Sequence, residues 1–139
     1  MSMFKVFDVA GSALSAQSVR LNVTASNMAN ANSVSSSEGE TYRARQPVFA
    51  AMLDQATSTT QQQSVGVQIK GVVESQAPLQ QQYSPDHPMA NEDGYIFLPN
   101  VNMVEEMANM ISASRSYQSN VEVINTAKQL MMRTLSMGQ

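Results

Sequence analysis

The chain has 139 residues, room for one domain with a moderate core, and a net charge of −3 with only 14% charged residues. Charges this few and this evenly mixed exclude a basic surface that could track phosphates, so nucleic acid is not an expected partner. Without cysteine there can be no disulfide or thiolate metal site. No apolar run is long enough to span a bilayer, and Met1 to Ala10 lack the basic and apolar regions of a cleavable signal peptide.

The first predicted element is a helix from about Met3 to about Met28. Phe4, Phe7, Gly11, Leu14, Ser18, Leu21, Ala25 and Met28 recur in alternating steps of three and four, the spacing of a coiled-coil face. Asn30, Asn32 and the run Ser33 to Gly39 end it, because Asn tolerates left-handed geometry and clustered Ser and Gly favour turns; this loop is a candidate flexible joint. Tyr42 to Arg45 reads as a short strand interrupted at Pro47, and Val48 to Leu53 is apolar without a clear period. A mobile loop is expected around Gln61, Gln62 and Gln63, where nothing apolar anchors the chain. From Ser64 onward, Val65, Val67 and Ile69 alternate, with Val73 placed on the same face, so a strand with one buried side is predicted. Pro78 to Tyr83 is its candidate partner. Ser84 to Gly94 reads as an extended loop, followed by a short apolar plug, Tyr95 to Leu98, before Pro99.

The last helix is predicted from Met103 to Ser136. Asn102 can cap it, Glu105 stands where a capping box returns a hydrogen bond, and Glu105 and Glu106 suit the positive end of the dipole; Lys128 and Arg133 suit the other end, with Gly138 just beyond. Its stripe is Met103, Met107, Met110, Ser114, Tyr117, Val121, Ile124, Lys128, Met131 and Leu135, and small residues at Gly11, Ala25 and Ala108 would allow close helix approach. Six of the eleven methionines lie in or just past this helix, where adaptable packing explains them better than a metal or cofactor. The fold class is therefore mainly α with a small β segment. Residues 1–32 and 101–139 form two long helices packed as a coiled-coil-like pair, and residues 33–100 are a loop and β-containing middle, all within one domain.

Catalysis finds no support. His87 is the single histidine, Asp86 and Asp93 beside it read as turn formers, and the adjacent Glu105 and Glu106 point to different sides of a helix. No serine sits in a nucleophile elbow, and Gly66, Gly71 and Gly94 form no phosphate-cradling loop. No enzyme activity, cofactor or metal is expected.

Two stretches carry a resemblance. Ala13-Leu14-Ser15-Ala16-Gln17 followed by Arg20 to Ser33 is similar to the N-terminal signature of bacterial flagellar rod and hook proteins. Asp93-Gly94-Tyr95, Pro99 to Asn102, Val104 to Met107, Met110 to Gln118, Asn120 to Val123 and Asn125 to Lys128 resemble the same family's C-terminal region, that of the proximal rod in particular. A middle without a large inserted outer domain also fits the proximal rod, whereas residues 53–82 match no familiar pattern. The resemblance implies a structural subunit of the basal-body drive shaft. Such a subunit transmits torque across the periplasm and is exported unfolded by the flagellar type III apparatus. It also implies the partners: proximal and distal rod proteins, further copies of this chain, and the MS-ring and export apparatus at the rod base.

On that reading Leu14, Leu21, Met107, Ile111, Tyr117, Val121 and Ile124 are the expected helix-packing and interface residues, and Asn22, Asn27, Asn30 and Asn32 the expected subunit contacts. The N-terminal helix, rich in Val, Ser and Asn and with Lys5 near the positive end of its dipole, is expected to be marginal alone and to order on assembly. The alternative is a type III-secreted protein whose amphipathic helices act on membranes. Against it, the polar faces carry Ser, Asn and Gln rather than Lys and Arg.

Overall fold

A computed structural model describes residues 3–52 and 65–138, so Leu53 and the expected loop at Gln61 to Gln63 lie outside the described residues. Two long helices, α1 (Met3–Asn30) and α2 (Met103–Met137), run along each other. Between them come β1 (Arg45–Met52), β2 (Gly66–Glu74), β3 (Gln80–Tyr83) and β4 (Tyr95–Leu98). β1 pairs antiparallel with β2, and β3 with β4, giving two separate two-stranded sheets. The mainly α class with a small β segment is what the structure has.

At roughly 1.5 Å per residue, α1 spans about 42 Å and α2 about 52 Å. Asn102 caps α2 as expected: its Oδ1 accepts from the N–H groups of Val104 and Glu105 at 3.1 and 3.4 Å. Glu105 does not return a bond to complete the capping box. α1 stops where Asn30 Nδ2 bonds back to the Ser26 carbonyl at 2.8 Å and the Ser33 N–H turns onto the Asn30 carbonyl.

The seam between the helices lies off the expected stripes, one residue away at every position but Ala16, which is two away. Its buried positions are Ala10, Ala16, Thr24 and Asn27 on α1, and Glu106, Ala113 and Ala127 on α2. Close approach therefore occurs at alanines in the seam. Gly11, Ala25 and Ala108, expected to serve it, are exposed, and nothing lies within 4 Å of where a Cβ on Gly11 would stand. One residue along a helix is about 100° of rotation, so the large apolar side chains flank the seam and do not fill it.

The middle segment departs from expectation in four places. Pro47 lies within β1, because a two-stranded sheet leaves each strand an open edge on which a missing N–H is tolerated. β2 pairs with β1; the stretch at Pro78 to Tyr83 instead supplies β3, whose partner is the predicted plug, now β4. The register shifts between Val48 and Phe49, which pair with Gly71 and Ile69 and leave Lys70 as the extra residue. That bulge reverses the alternation, so Val67, Ile69 and Val72 share one face and Val73 points to the other, where it is exposed. Finally, Ser33 to Gly39 is not a free joint. Ser35 exchanges two backbone hydrogen bonds with Phe97 on β4 at 3.0 and 3.1 Å, its hydroxyl pairs with that of Thr41, and both Ser35 and Thr41 are buried. The β3–β4 connection turns at Gly94, where φ is +80° and an added Cβ would meet the Tyr83 ring at 2.9 Å.

Candidate assembly interface

The helix pair carries a polar knot at one end. Asn27 is 1% exposed and all four of its amide bonding positions are used. Its Nδ2 donates to the Arg45 carbonyl at 2.8 Å and to Glu106 Oε1 at 3.1 Å, while its Oδ1 accepts from the Tyr42 hydroxyl at 2.8 Å and the Arg45 N–H at 2.9 Å. One side chain thus joins α1, the start of β1 and α2. Arg45 lies over the Tyr42 ring at 5.5 Å and pairs with Glu74 at 3.3 Å, which ties β2 to the same point. Glu106 belongs to this knot as a buried acceptor, a role its place in the first helical turn did not reveal.

Further along, Arg20 Nη2 donates to Asn109 Oδ1 at 3.0 Å across the seam. Ser12 pins the sheet to α1: its hydroxyl donates to the Val9 carbonyl at 2.8 Å and accepts from the Val67 N–H at 3.1 Å. Asn100 closes the middle segment, accepting from the Ala44 N–H at 2.8 Å and donating to the Ala77 carbonyl at 2.9 Å. No periodicity could have found Asn100 or Ser12, since each bonds backbone far away in sequence.

The expected interface residues divide by exposure. Leu14, Leu21 and Ile124 are half-buried, whereas Met107, Ile111, Tyr117 and Val121 stand exposed on α2. Of the four asparagines, Asn22 and Asn32 are exposed, Asn30 bonds within its own helix, and Asn27 is consumed inside the chain. Asn27 therefore has no free donor or acceptor for a neighbouring subunit.

Large apolar side chains are left outside. Phe4 is 71%, Val104 75% and Leu135 73% exposed, and Val123, Leu130, Met132 and Met137 join them along α2. Because α2 is the longer helix, its last turns from about Leu130 pass beyond the start of α1. A groove of about 570 Å³ opens there, lined by Val6, Val123, Ala127 and Leu130 among others. Apolar surface this extensive on a small chain is chemistry for association, not for a reaction. Among the described residues there is no helix long and apolar enough to cross a membrane, nor any group of three His, Cys, Asp or Glu side chains placed to hold a metal.

The comparisons with known proteins fall on the same elements. Residues 7–35 match the family model described as flagella basal body rod protein, and residues 92–137 match that described as flagellar basal body rod FlgEFG protein C-terminal. The chain is 51% identical to the flagellar basal-body rod protein FlgC of Salmonella typhimurium, over the whole of both chains. The same identity and coverage hold for FlgC of Escherichia coli O157:H7, and FlgC of Buchnera aphidicola subsp. Acyrthosiphon pisum is 44% identical over the whole of both.

Proposed function

Because the chain belongs to the FlgC family of flagellar basal-body rod proteins, and is thus a structural rod subunit and not an enzyme, we propose that it stands in the proximal rod and carries torque across the periplasm through packed interfaces. The single observation that supports this best is the alanine seam with large apolar residues left outside it. Two helices that bury only Ala10, Ala16, Ala113 and Ala127 among their apolar residues leave Phe4, Ile111, Tyr117 and Leu135 for neighbours. Burying that surface yields about 25 cal/mol per Å², which offsets the cost of ordering the chain only once a neighbour is in place. In this reading the neighbours are other proximal and distal rod proteins and further copies of the chain, with the MS-ring and export apparatus at the base. The flagellar export apparatus delivers the chain unfolded. Nothing in the fold or the relatives lends support to a membrane-acting role.

Deleting the gene and imaging basal bodies by electron cryotomography tests this. Loss of rods on deletion, restored by the wild-type chain, is the expected result. Complete rods and normal swimming in the deletion strain would contradict the reading.

A further inference from the structure

Alongside the buried positions, one half-buried to buried row on each helix repeats every seven residues: Val6, Ala13, Arg20 and Asn27 on α1, and Glu106, Ala113, Asn120 and Ala127 on α2. Two observations fix how the rows align. Asn27 Nδ2 donates to Glu106 Oε1 at 3.1 Å, and three heptads away along each helix Val6 and Ala127 line the same groove. Antiparallel alignment then sets Arg20 level with Ala113, and Arg20 indeed bonds Asn109, one turn from Ala113.

Side-chain bulk does not select this alignment. A slip of one heptad, roughly 10 Å, would set Ala13 against Ala113 and Val6 against Asn120 with no large apolar residue opposing another. It would also bring Glu106 level with Arg20, and the two have no ion pair in the observed alignment although they line one cleft. Such a shift would also have to release the Ser35–Phe97 and Ala44–Asn100 contacts that fasten the connection, and Asn27 is the side chain bonded to β1 and α2 at once. A single buried asparagine is an attested device for fixing the register of a helix pair.

We propose that Asn27 is the register-setting residue of the helix pair. It bonds Glu106 on one side and the Arg45 backbone and Tyr42 on the other, so it holds α1, β1 and α2 at one level and withholds Glu106 from Arg20. This decides which exposed apolar residues of the two helices stand together on the outer surface. It therefore deepens the assembly reading without depending on it.

The chain has no cysteine, so introduced pairs report alignment cleanly. Val6→Cys with Ala127→Cys reads the observed register, and Val6→Cys with Asn120→Cys reads the slipped one. In the full chain, at a concentration where circular dichroism shows both helices formed, mild oxidation should close the first pair roughly tenfold faster than the second. Adding Asn27→Leu or Asn27→Asp should level or reverse that preference, whereas Glu106→Gln, which keeps an acceptor for Asn27, should preserve it. No preference in the parent pairs, or an unchanged preference in a folded Asn27 variant, overturns the proposal. Each Asn27 variant is read at a concentration where its own helices are formed, because loss of the four bonds also lowers stability. These readouts come from the free chain, so their failure leaves the rod reading standing.

Discussion

Asn27 and Asn22 show how much a residue's surroundings decide. Both belong to the asparagine run of α1, yet one is buried with four hydrogen bonds and the other is exposed. Asn27→Ala removes the side-chain partner of both backbone groups of Arg45 and of Glu106, and leaves the Tyr42 hydroxyl with Ser26 alone. Each buried polar group left unpaired costs about 1–3 kcal/mol, so a marked fall in denaturant midpoint is expected. Asn22→Ala and Asn32→Ala should change the free chain by less than about 0.5 kcal/mol. Urea titrations of the three variants check this; equal effects at Asn27 and Asn22 would mean that the knot contributes nothing in solution.

For the elements, the useful distinction is between apolar residues that hold the chain together and those that wait for a neighbour. Leu21 and Ile124 are half-buried, and an aspartate at either position places an unpaired charge against the partner helix. Leu21→Asp and Ile124→Asp should therefore destabilise the free chain and abolish assembly together. Ile111 is 54% exposed, and Ile111→Asp should leave the free chain within about 0.5 kcal/mol of the parent while still blocking assembly. The measurement pairs unfolding of purified variants with swimming of complemented cells. Normal swimming with Ile111→Asp would remove that face of α2 from the interface. In the sheet, by contrast, the bulge at Lys70 turns Val73 away from Ile69 and sets Val72 in its place, with both valines still exposed.

Taken as a whole, the molecule has a thin core: five alanines, Ile96 and Pro99 are its buried apolar side chains among those described, and Gln17 Oε1 is buried without a partner. A core this small recovers little of the entropy lost in ordering two long helices. We therefore expect dilute monomer to show much less helix than α1 and α2 together provide, with helix rising as concentration increases. Circular dichroism across a dilution series measures it; full, cooperatively melting helix at the lowest concentration would contradict the expectation.

The sequence by itself determined the two helices, their cap at Asn102 and the family, because periodicity, capping chemistry and local motifs act within a few residues. Tertiary structure alone decided which helix face is the seam. Both helices are apolar over more than one face, and hydrophobic spacing favours the larger side chains, whereas close antiparallel packing selected the alanines beside them. It likewise decided that β1 pairs with β2, that Ser35 closes onto Phe97, and that Glu106 turns inward to Asn27. Each of these depends on a backbone or side-chain partner tens of residues distant, whose position no local pattern encodes.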